Sequence, residues 1–416
     1  MVWIGLIIVL ITLYAIIKNY ETRLTLFTSG LLMSAIALVP MGGIDAFIKE
    51  LTNAGLVTTI ITVLGFSYVM DNTGCSKHLV VMVSSVLKKV KIILIPGAVL
   101  LTFILNIALP SAAGAAAAIG TILIPMLIRN GVAPALAGSA VLLGTWGSVL
   151  SPGLMFNPQV AQIAGVDVMT VIATFARQVF IAAFVAAVIL AIIAYIKKEA
   201  PSKNSKIVEE EKEDFKVNPL KALVPIVPIF LLIIGSKQIG LIPEISVPQA
   251  MIIGVMLGFI IVRKDIVANT KQFFKGMGDG MTDIVGLIAA AAIFTFGMGA
   301  VGLTDALIDI MKSSEHIARI AAAAGPFIFG AVSGSGNAAA LAFNAAITPN
   351  AAQFGLGTIE LGSMAQIAAG LGRTMSPVAG CAIICAKIAG VNPIELAKRN
   401  AIPTIVATII VMLTLL

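Results

Sequence analysis

One arginine stands alone in a long uncharged stretch near the end of the chain. Arg373 is the only charged residue between Leu361 and Ala386. A buried guanidinium is costly without a partner, so an arginine here predicts an anion-binding site. Its planar fork can hold a carboxylate through two hydrogen bonds. A structural pair with Glu360 or with a backbone carbonyl is the alternative.

Small polar residues and glycines interrupt the apolar sequence at four places, one of which includes Arg373. These are helix-breaking motifs near 110–114 and 333–337, and breaks at 144–153 and 372–378. At membrane depth, non-helical backbone is tolerated only inside the protein or beside a wet cavity. The predicted substrate-binding residues are Ser111, Gly114, Gly147, Ser148, Ser151, Ser335, Gly336, Asn337, Arg373, Thr374 and Ser376.

Such breaks suit a carboxylate ligand. They free backbone N–H groups and expose helix N-termini, both of which carry partial positive charge. Hydroxyl and amide side chains add further donors. The alternative is that each small polar residue only permits close helix packing. Packing accounts for any single serine, whereas the whole set at related breaks favours a binding site.

The composition requires that these residues be positioned by membrane helices. Of the 416 residues, 59% are hydrophobic and 11% are charged, against about 45–50% and about 25% in soluble domains. Uncharged runs such as 51–70 and 130–166 exceed the roughly 18 residues of a membrane span. We therefore predict an all-α polytopic membrane protein, which excludes a cytoplasmic enzyme, a nucleic-acid binder and a secreted disulfide scaffold.

Ten crossing helices are predicted, and the positions of Lys and Arg orient them. The basic residues concentrate in loops that would then be cytoplasmic, including Arg23 at the first turn, Arg399 before the last span, and Lys88, Lys89, Lys91, Lys203 and Lys206. The loops at 42–53, 157–169 and 303–318 are poorer in positive charge, which places both termini outside. The predicted spans are 2–17, 24–41, 54–71, 134–156, 170–196, 222–240, 246–262, 281–302, 359–388 and 400–416.

Two uncharged segments do not fit a simple crossing. Residues 92–128 would form about 55 Å of helix, nearly twice the hydrocarbon thickness of about 30 Å. The motif around Pro110 should break that helix, and positive charge flanks both ends. A re-entrant hairpin over 92–128 explains these features, and a second one is predicted over 320–350 from the opposite side.

The two hairpins belong to an internal repeat. Ser111 matches Ser335 at an offset of 224, and Ser151-Pro152 matches Ser376-Pro377 at an offset of 225. Residues 1–196 and 222–416 would form two inverted repeats, each with about five transmembrane helices and one hairpin, and with broken helices at the midplane. Residues 197–221 would be a charged cytoplasmic linker. Inverted repeats with interrupted helices are typical of secondary transporters.

The ionisable residues do not decide the coupling ion. No cofactor is predicted, because the cysteines have no His or carboxylate at metal-ligand spacing. The lack of a buried Asp pair argues against a cation–proton antiporter. Backbone carbonyls at the breaks could hold Na⁺ without an acidic ligand, so Na⁺ and H⁺ both stay open. No set of nucleophile, base or metal predicts an enzyme.

The motifs at these breaks resemble those of the DcuC-type anaerobic C4-dicarboxylate carriers, within the ion transporter superfamily. They are Ser-x-x-Gly at 111–114, Ser-Gly-Ser-Gly-Asn at 333–337 and Gly-Arg-Thr-Met-Ser-Pro at 372–377. The resemblance implies transport of succinate, fumarate and malate at the bacterial inner membrane. It also implies a homodimer in which a domain holding both hairpins and both broken helices moves as an elevator. The sodium-coupled relatives carry Ser-Asn-Thr at both tips, a motif absent here.

Two transport hypotheses follow. The first is exchange or ion-coupled transport of C4-dicarboxylates. The second is a gluconate- or lactate-type monocarboxylate:proton symporter or a sodium–proton antiporter of the same superfamily, because one central arginine can hold one carboxylate as readily as two.

Overall fold

The computed structural model describes residues 1–18, 20–87, 94–200, 215–236, 239–312 and 315–416. In these ranges all regular secondary structure is helical. The first half of the chain forms α1 Val2–Ile17, α2 Thr22–Ile36, α3 Pro40–Leu51, α4 Ala54–Asn72, α5 Cys75–Leu87, α6 Leu94–Ala108, α7 Ala112–Arg129, α8 Pro134–Gly144, α9 Phe156–Ala164 and α10 Val168–Ile196.

The second half contributes eleven helices within the same described ranges. They are α11 Pro219–Leu223, α12 Val227–Ile234, α13 Val247–Val262, α14 Ile266–Asp279, α15 Gly286–Ala300, α16 Leu303–Lys312, α17 Glu315–Ser333, α18 Gly336–Ala346, α19 Thr358–Thr374, α20 Gly380–Ala389 and α21 Pro393–Leu415. A π-helical turn, Gly280–Val285, joins α14 to α15.

Six helical stretches in the described part are long and apolar enough to cross a membrane, in agreement with the predicted all-α polytopic class. They are Ala54–Asn72, Ala112–Arg129, Val168–Ile196, Ile266–Ala300, His316–Ser333 and Pro393–Leu415. Two of them, α7 and most of α17, were predicted as hairpin arms, and by length alone either could cross.

Several predicted spans are shorter than expected. The span 24–41 ends at Ile36, and Pro40 starts the separate helix α3, since proline fits the first turn of a helix. The spans 134–156 and 359–388 are each divided into two helices at the predicted breaks. Lys88, Lys89, Lys91, Lys203 and Lys206, and the acidic run 209–214 of the linker, lie outside the described residues.

The same local geometry recurs 225 residues apart. Gly165 and Gly390 both end a helix with φ of +68°. The N–H groups of Val166 and Val391 each donate 3.0 Å to a carbonyl five residues earlier, Ala161 and Ala386. Helices α6 to α10 thus match α17 to α21 in order, with α7 matched by α18 and the 3₁₀ turn Thr348–Phe354.

Loops that the charge pattern assigned to one side contact each other. From the less basic set, Asn53 Nδ2 donates 2.8 Å to Gln162 Oε1. From the basic set, Arg23 pairs with Asp283 at 3.2 Å, and the N–H of Asn218 donates 3.1 Å to His78 Nδ1. Each of these contacts therefore joins segments that the charge pattern assigned to the same side.

One predicted loop charge is buried. Arg399 was placed before the last span, but α21 begins at Pro393, so Arg399 lies inside the helix with 8% of its surface exposed. Its Nε donates 2.8 Å to Glu199 Oε2, its Nη2 pairs with the other oxygen of Glu199, and its Nη1 lies 3.0 Å from Glu395 Oε2. This two-pronged pair joins the end of α10 to α21.

Candidate functional site

The first break separates α8 from α9 and is stabilised by a buried asparagine. Helix α8 ends at Gly144, and Gly147–Leu150 form a 3₁₀ turn. Asn106, fully buried on α6, accepts a 2.8 Å hydrogen bond from the N–H of Ser148 and donates 2.7 Å to the Leu109 carbonyl. Asn106 thus joins the tip between α6 and α7 to the break, and it satisfies backbone groups that no helix pairs.

The second break lies between α19 and α20. Helix α19 ends at Thr374 and α20 begins at Gly380. The buried Asn400 of α21 donates 3.0 Å to the Thr374 carbonyl. Each break therefore relies on a buried amide side chain from a neighbouring helix.

Two glycines allow matching close approaches at the breaks. A Cβ at Gly147 would lie 2.0 Å from the Phe103 carbonyl oxygen on α6, and a Cβ at Gly372 would lie 2.0 Å from that of Phe327 on α17. The two positions are 225 residues apart in the chain. Glycine is required at both because a side chain would collide with backbone.

Arg373 reaches from the second break to the first. Its Nη2 donates 3.0 Å to the Thr145 carbonyl, and its Nε is buried without a partner among the described residues. Arg373 thus does bind a backbone carbonyl, as the alternative interpretation expected, but this bond uses only one of its five N–H donors. The Glu360 alternative is wrong, because thirteen residues of the continuous helix α19 separate the two by about 20 Å.

Residues from both halves line a small cavity beside Arg373. Its polar wall consists of Ser148, Gly336, Asn337, Gln366 and Arg373, and its apolar wall includes Leu154 and Phe156. Arg373 is the one charged residue among the described lining residues. The cavity measures about 20 Å³, room for about one water molecule, so a larger ligand would require it to widen.

The tip before α18 is packed tightly against the second break. A Cβ at Gly334, where φ is +72°, would lie 2.8 Å from the Ala379 nitrogen. A Cβ at Gly336 would lie 2.6 Å from the Ala369 carbonyl oxygen. The N-terminus of α18, at Gly336 and Asn337, therefore lies at the cavity and contributes partial positive charge there.

Four of the eleven predicted site residues meet at the cavity: Ser148, Gly336, Asn337 and Arg373. Ser335 precedes Gly336 and is half-buried. Ser151, Thr374 and Ser376 are buried at the breaks, and the Ser376 hydroxyl has no partner among the described residues.

Three predicted site residues lie away from the cavity. Ser111 is exposed, and its hydroxyl caps α7 by accepting from the N–H of Gly114 at 3.1 Å. Gly147 contacts α6 instead of the cavity. In this conformation the first tip therefore contributes no side chain to the site.

Sequence reasoning missed a buried amide pair. Gln366 on α19 lines the cavity and is fully buried, and its Nε2 donates 2.8 Å to Asn157 Oδ1 at the start of α9. Burying an amide in an apolar span is costly unless it is hydrogen-bonded. A glutamine in the apolar sequence of α19 could therefore have predicted a buried polar partner.

A cation, if bound here, would need backbone or neutral ligands. The described residues contain no group of three His, Cys, Asp or Glu side chains able to hold a metal ion. Several carbonyls at the first break are already engaged: Thr145 by Arg373, and Val149 and Ser151 by Asn157.

Comparison with known proteins identifies relatives along the whole chain. The family DcuC, described as C4-dicarboxylate anaerobic carrier, matches residues 2–416. The chain is 37% identical to a putative uncharacterized transporter of Haemophilus influenzae over 64% of its own length and all of the relative. It is 24% identical to the anaerobic C4-dicarboxylate transporter DcuC of Escherichia coli, over 98% of this chain and 95% of the relative. The probable DcuC of Vibrio cholerae is 26% identical over 99% of this chain and 96% of that protein.

Proposed function

Because the chain belongs to the DcuC family of anaerobic C4-dicarboxylate carriers, we propose that it is a secondary transporter of C4-dicarboxylates such as succinate, fumarate and malate. The observation that carries the proposal is Arg373. It is charged, lies where the two breaks meet, and has donors that the described residues leave unused. The family membership does not favour the monocarboxylate or antiporter alternative.

In the proposed binding mode, Arg373 holds one carboxylate through its guanidinium fork. The second carboxylate lies at the N-terminus of α18, where the first N–H groups of the helix and the Asn337 amide can donate. The Ser148 hydroxyl is a further donor on the facing wall. One full positive charge and one helix N-terminus together balance most of the substrate's two negative charges.

The proposal includes an inverted-repeat architecture. The corresponding helices, the paired glycines at 147 and 372 and the paired caps at 165 and 390 support a repeat. Helix α18 has 11 residues, about 16 Å, which is too short to cross a core of about 30 Å. In our interpretation α17 and α18 therefore form a re-entrant hairpin that returns to its own side, and α6 and α7 form its counterpart.

We further propose that a transport domain carries the site across the membrane as an elevator within a homodimer at the bacterial inner membrane. The described core gives partial support to this division. One cluster of buried residues draws on α6, α7, α8, α10, α17, α19, α20 and α21, and two others draw mainly on α1, α2, α4, α13 and α15. Ala340 and Leu341 of α18 and Ala369 of α19 belong to the second group, so they would lie where the two bodies meet. The small cavity would have to widen to admit a dicarboxylate from either side. Exchange and coupling to Na⁺ or H⁺ are the energy sources proposed.

The test is uptake of labelled succinate into proteoliposomes that contain the purified protein. We expect uptake that competes with fumarate and malate, and that gluconate and lactate do not reduce. Counterflow against internal succinate separates exchange from ion-coupled uptake, and imposed Na⁺ or H⁺ gradients identify the ion. If succinate neither enters nor exchanges under any of these gradients, the proposal fails.

A further inference from the structure

Gln366 is the second chemically informative side chain of the cavity. It lies seven residues before Arg373 on α19, has no exposed surface and lines the same cavity. Its Nε2 is committed to Asn157, whereas its Oε1 is buried with no hydrogen-bond partner among the described residues. A buried carbonyl oxygen without a donor carries a desolvation penalty unless a ligand or water supplies one.

The orientation of this amide is determined by its neighbours. Asn157 Nδ2 donates 2.9 Å to the Val149 carbonyl and 2.9 Å to the Ser151 carbonyl. Carbonyls accept only, so the Asn157 amide nitrogen must face them and its Oδ1 must face Gln366. Gln366 must then present its nitrogen to Asn157, and its oxygen is the group left for the cavity. A flip of either amide would place two acceptors or two donors together.

On the basis of the proposed function, we infer that Gln366 is a specificity residue that favours C4-dicarboxylates carrying a hydrogen-bond donor beside a carboxylate. Ionised carboxylates offer only acceptors. Succinate and fumarate can therefore satisfy Arg373 but not Gln366 Oε1. The hydroxyl of malate or the ammonium of aspartate can donate to it. A site built to hydrogen-bond a substrate hydroxyl discriminates against an analogue that lacks it, because its own polar group is left unpaired.

The experiment measures inhibition of labelled succinate uptake in proteoliposomes at pH 8, where all substrate carboxylates are ionised. Malate and aspartate present a donor, whereas succinate and 2-fluorosuccinate do not. We expect malate to bind the unmodified protein about 3- to 10-fold more tightly than 2-fluorosuccinate, the range of one neutral hydrogen bond. Gln366→Met should remove this preference by lowering malate affinity to about that of 2-fluorosuccinate. Gln353→Met is the matched control, because this glutamine is exposed and its Nε2 donates to Asn350 Oδ1 outside the cavity.

The outcomes separate this inference from the proposed function. Equal affinity of the unmodified protein for malate and 2-fluorosuccinate would overturn it, even if Gln366→Met fails to fold. Equal losses for malate and succinate in a folded Gln366→Met protein would show a positioning role and also overturn it. A protein that transports no C4-dicarboxylate would remove the proposed function itself. If Gln366→Met loses affinity for malate but not for aspartate, Gln366 recognises the hydroxyl. If it loses affinity for aspartate but not for malate, Gln366 recognises the ammonium.

Discussion

The guanidinium of Arg373 has more donors than the described protein uses. One nitrogen donates to the Thr145 carbonyl and another is buried without a partner. An arginine held this way is costly in the empty protein and becomes satisfied when an anion binds. Its isolation in the sequence therefore indicated a binding site, and the cavity locates the atoms that such a ligand would meet.

Substituting Arg373 should separate ligand binding from folding. Arg373→Lys keeps the charge but loses the bidentate fork, so succinate affinity should fall by about 1.5–3 kcal/mol, the worth of a hydrogen bond to a charged group. Arg373→Ala should abolish uptake, because the substrate carboxylate would then be buried in the protein without a compensating positive charge. Uptake assays and thermal melts without ligand measure the two effects.

Arg177→Ala is the control for that prediction, since this arginine is exposed on α10. It should change neither uptake nor melting temperature beyond the scatter of surface substitutions. Wild-type succinate affinity in Arg373→Ala would contradict a direct role. A collapse of the ligand-free melt would show that the bond to Thr145 is the main role of the side chain.

Helix breaks depend on how closely the neighbouring helices approach them. At both breaks a helix backbone lies where a side chain would otherwise be, beside Gly147 and beside Gly372. The local sequence, with Pro152 and Pro377 inside the two breaks, indicates that the helices must end. It does not indicate that α6 and α17 pack against them.

Adding one methyl group at either glycine tests these contacts. Gly147→Ala and Gly372→Ala each place a Cβ 2.0 Å from a carbonyl oxygen. Such overpacking should destabilise the protein by about 1–3 kcal/mol or more, because backbone must move. Gly380→Ala is the matched control: it lies at the start of α20, and no atom lies within 4 Å of its added Cβ. Thermal melts in detergent should rank the control near wild type, and a wild-type melt for Gly147→Ala would refute the contact.

Sidedness is a property of the whole molecule. The charge pattern predicts that loops rich in Lys and Arg lie at one end and the less basic loops at the other. Residues of the less basic loops, among them Asn53, Gln162 and Val166, line a cleft of about 460 Å³ together with Glu244. Because positive loops are retained in the cytoplasm, this cleft should face outside.

Cysteine labelling can test this orientation with little background, since Cys75, Cys381 and Cys385 are all buried. A membrane-impermeant maleimide should modify Val166→Cys, 37% exposed at the cleft, in intact spheroplasts. It should modify Lys216→Cys, exposed at the end of the linker, only after permeabilisation. Modification of both from the same side would contradict the proposed topology and the inversion of the repeats.

Part of the site could be predicted because its signals are local. Three local features are each unfavourable unless the fold compensates for them: an arginine in an apolar run, a Ser-Gly-Ser-Gly-Asn motif and a helix-ending proline. Ser148, Gly336, Asn337 and Arg373, which line the cavity, were selected this way. The same signals also selected Ser111, which is exposed at the N-cap of α7. A local motif specifies that a helix begins there, not which surface it faces.

The sequence by itself determined the membrane class, the positions of the helix breaks and the recurrence 225 residues apart, because apolar run length, proline and glycine act on the chain locally. Only the tertiary structure decided which groups meet: Arg373 with Thr145, 228 residues away, and Gln366 with Asn157, 209 residues away. Buried polar groups must find partners, yet many partners are chemically equivalent. The choice among them depends on which helices pack together, and that packing is settled by the whole molecule at once.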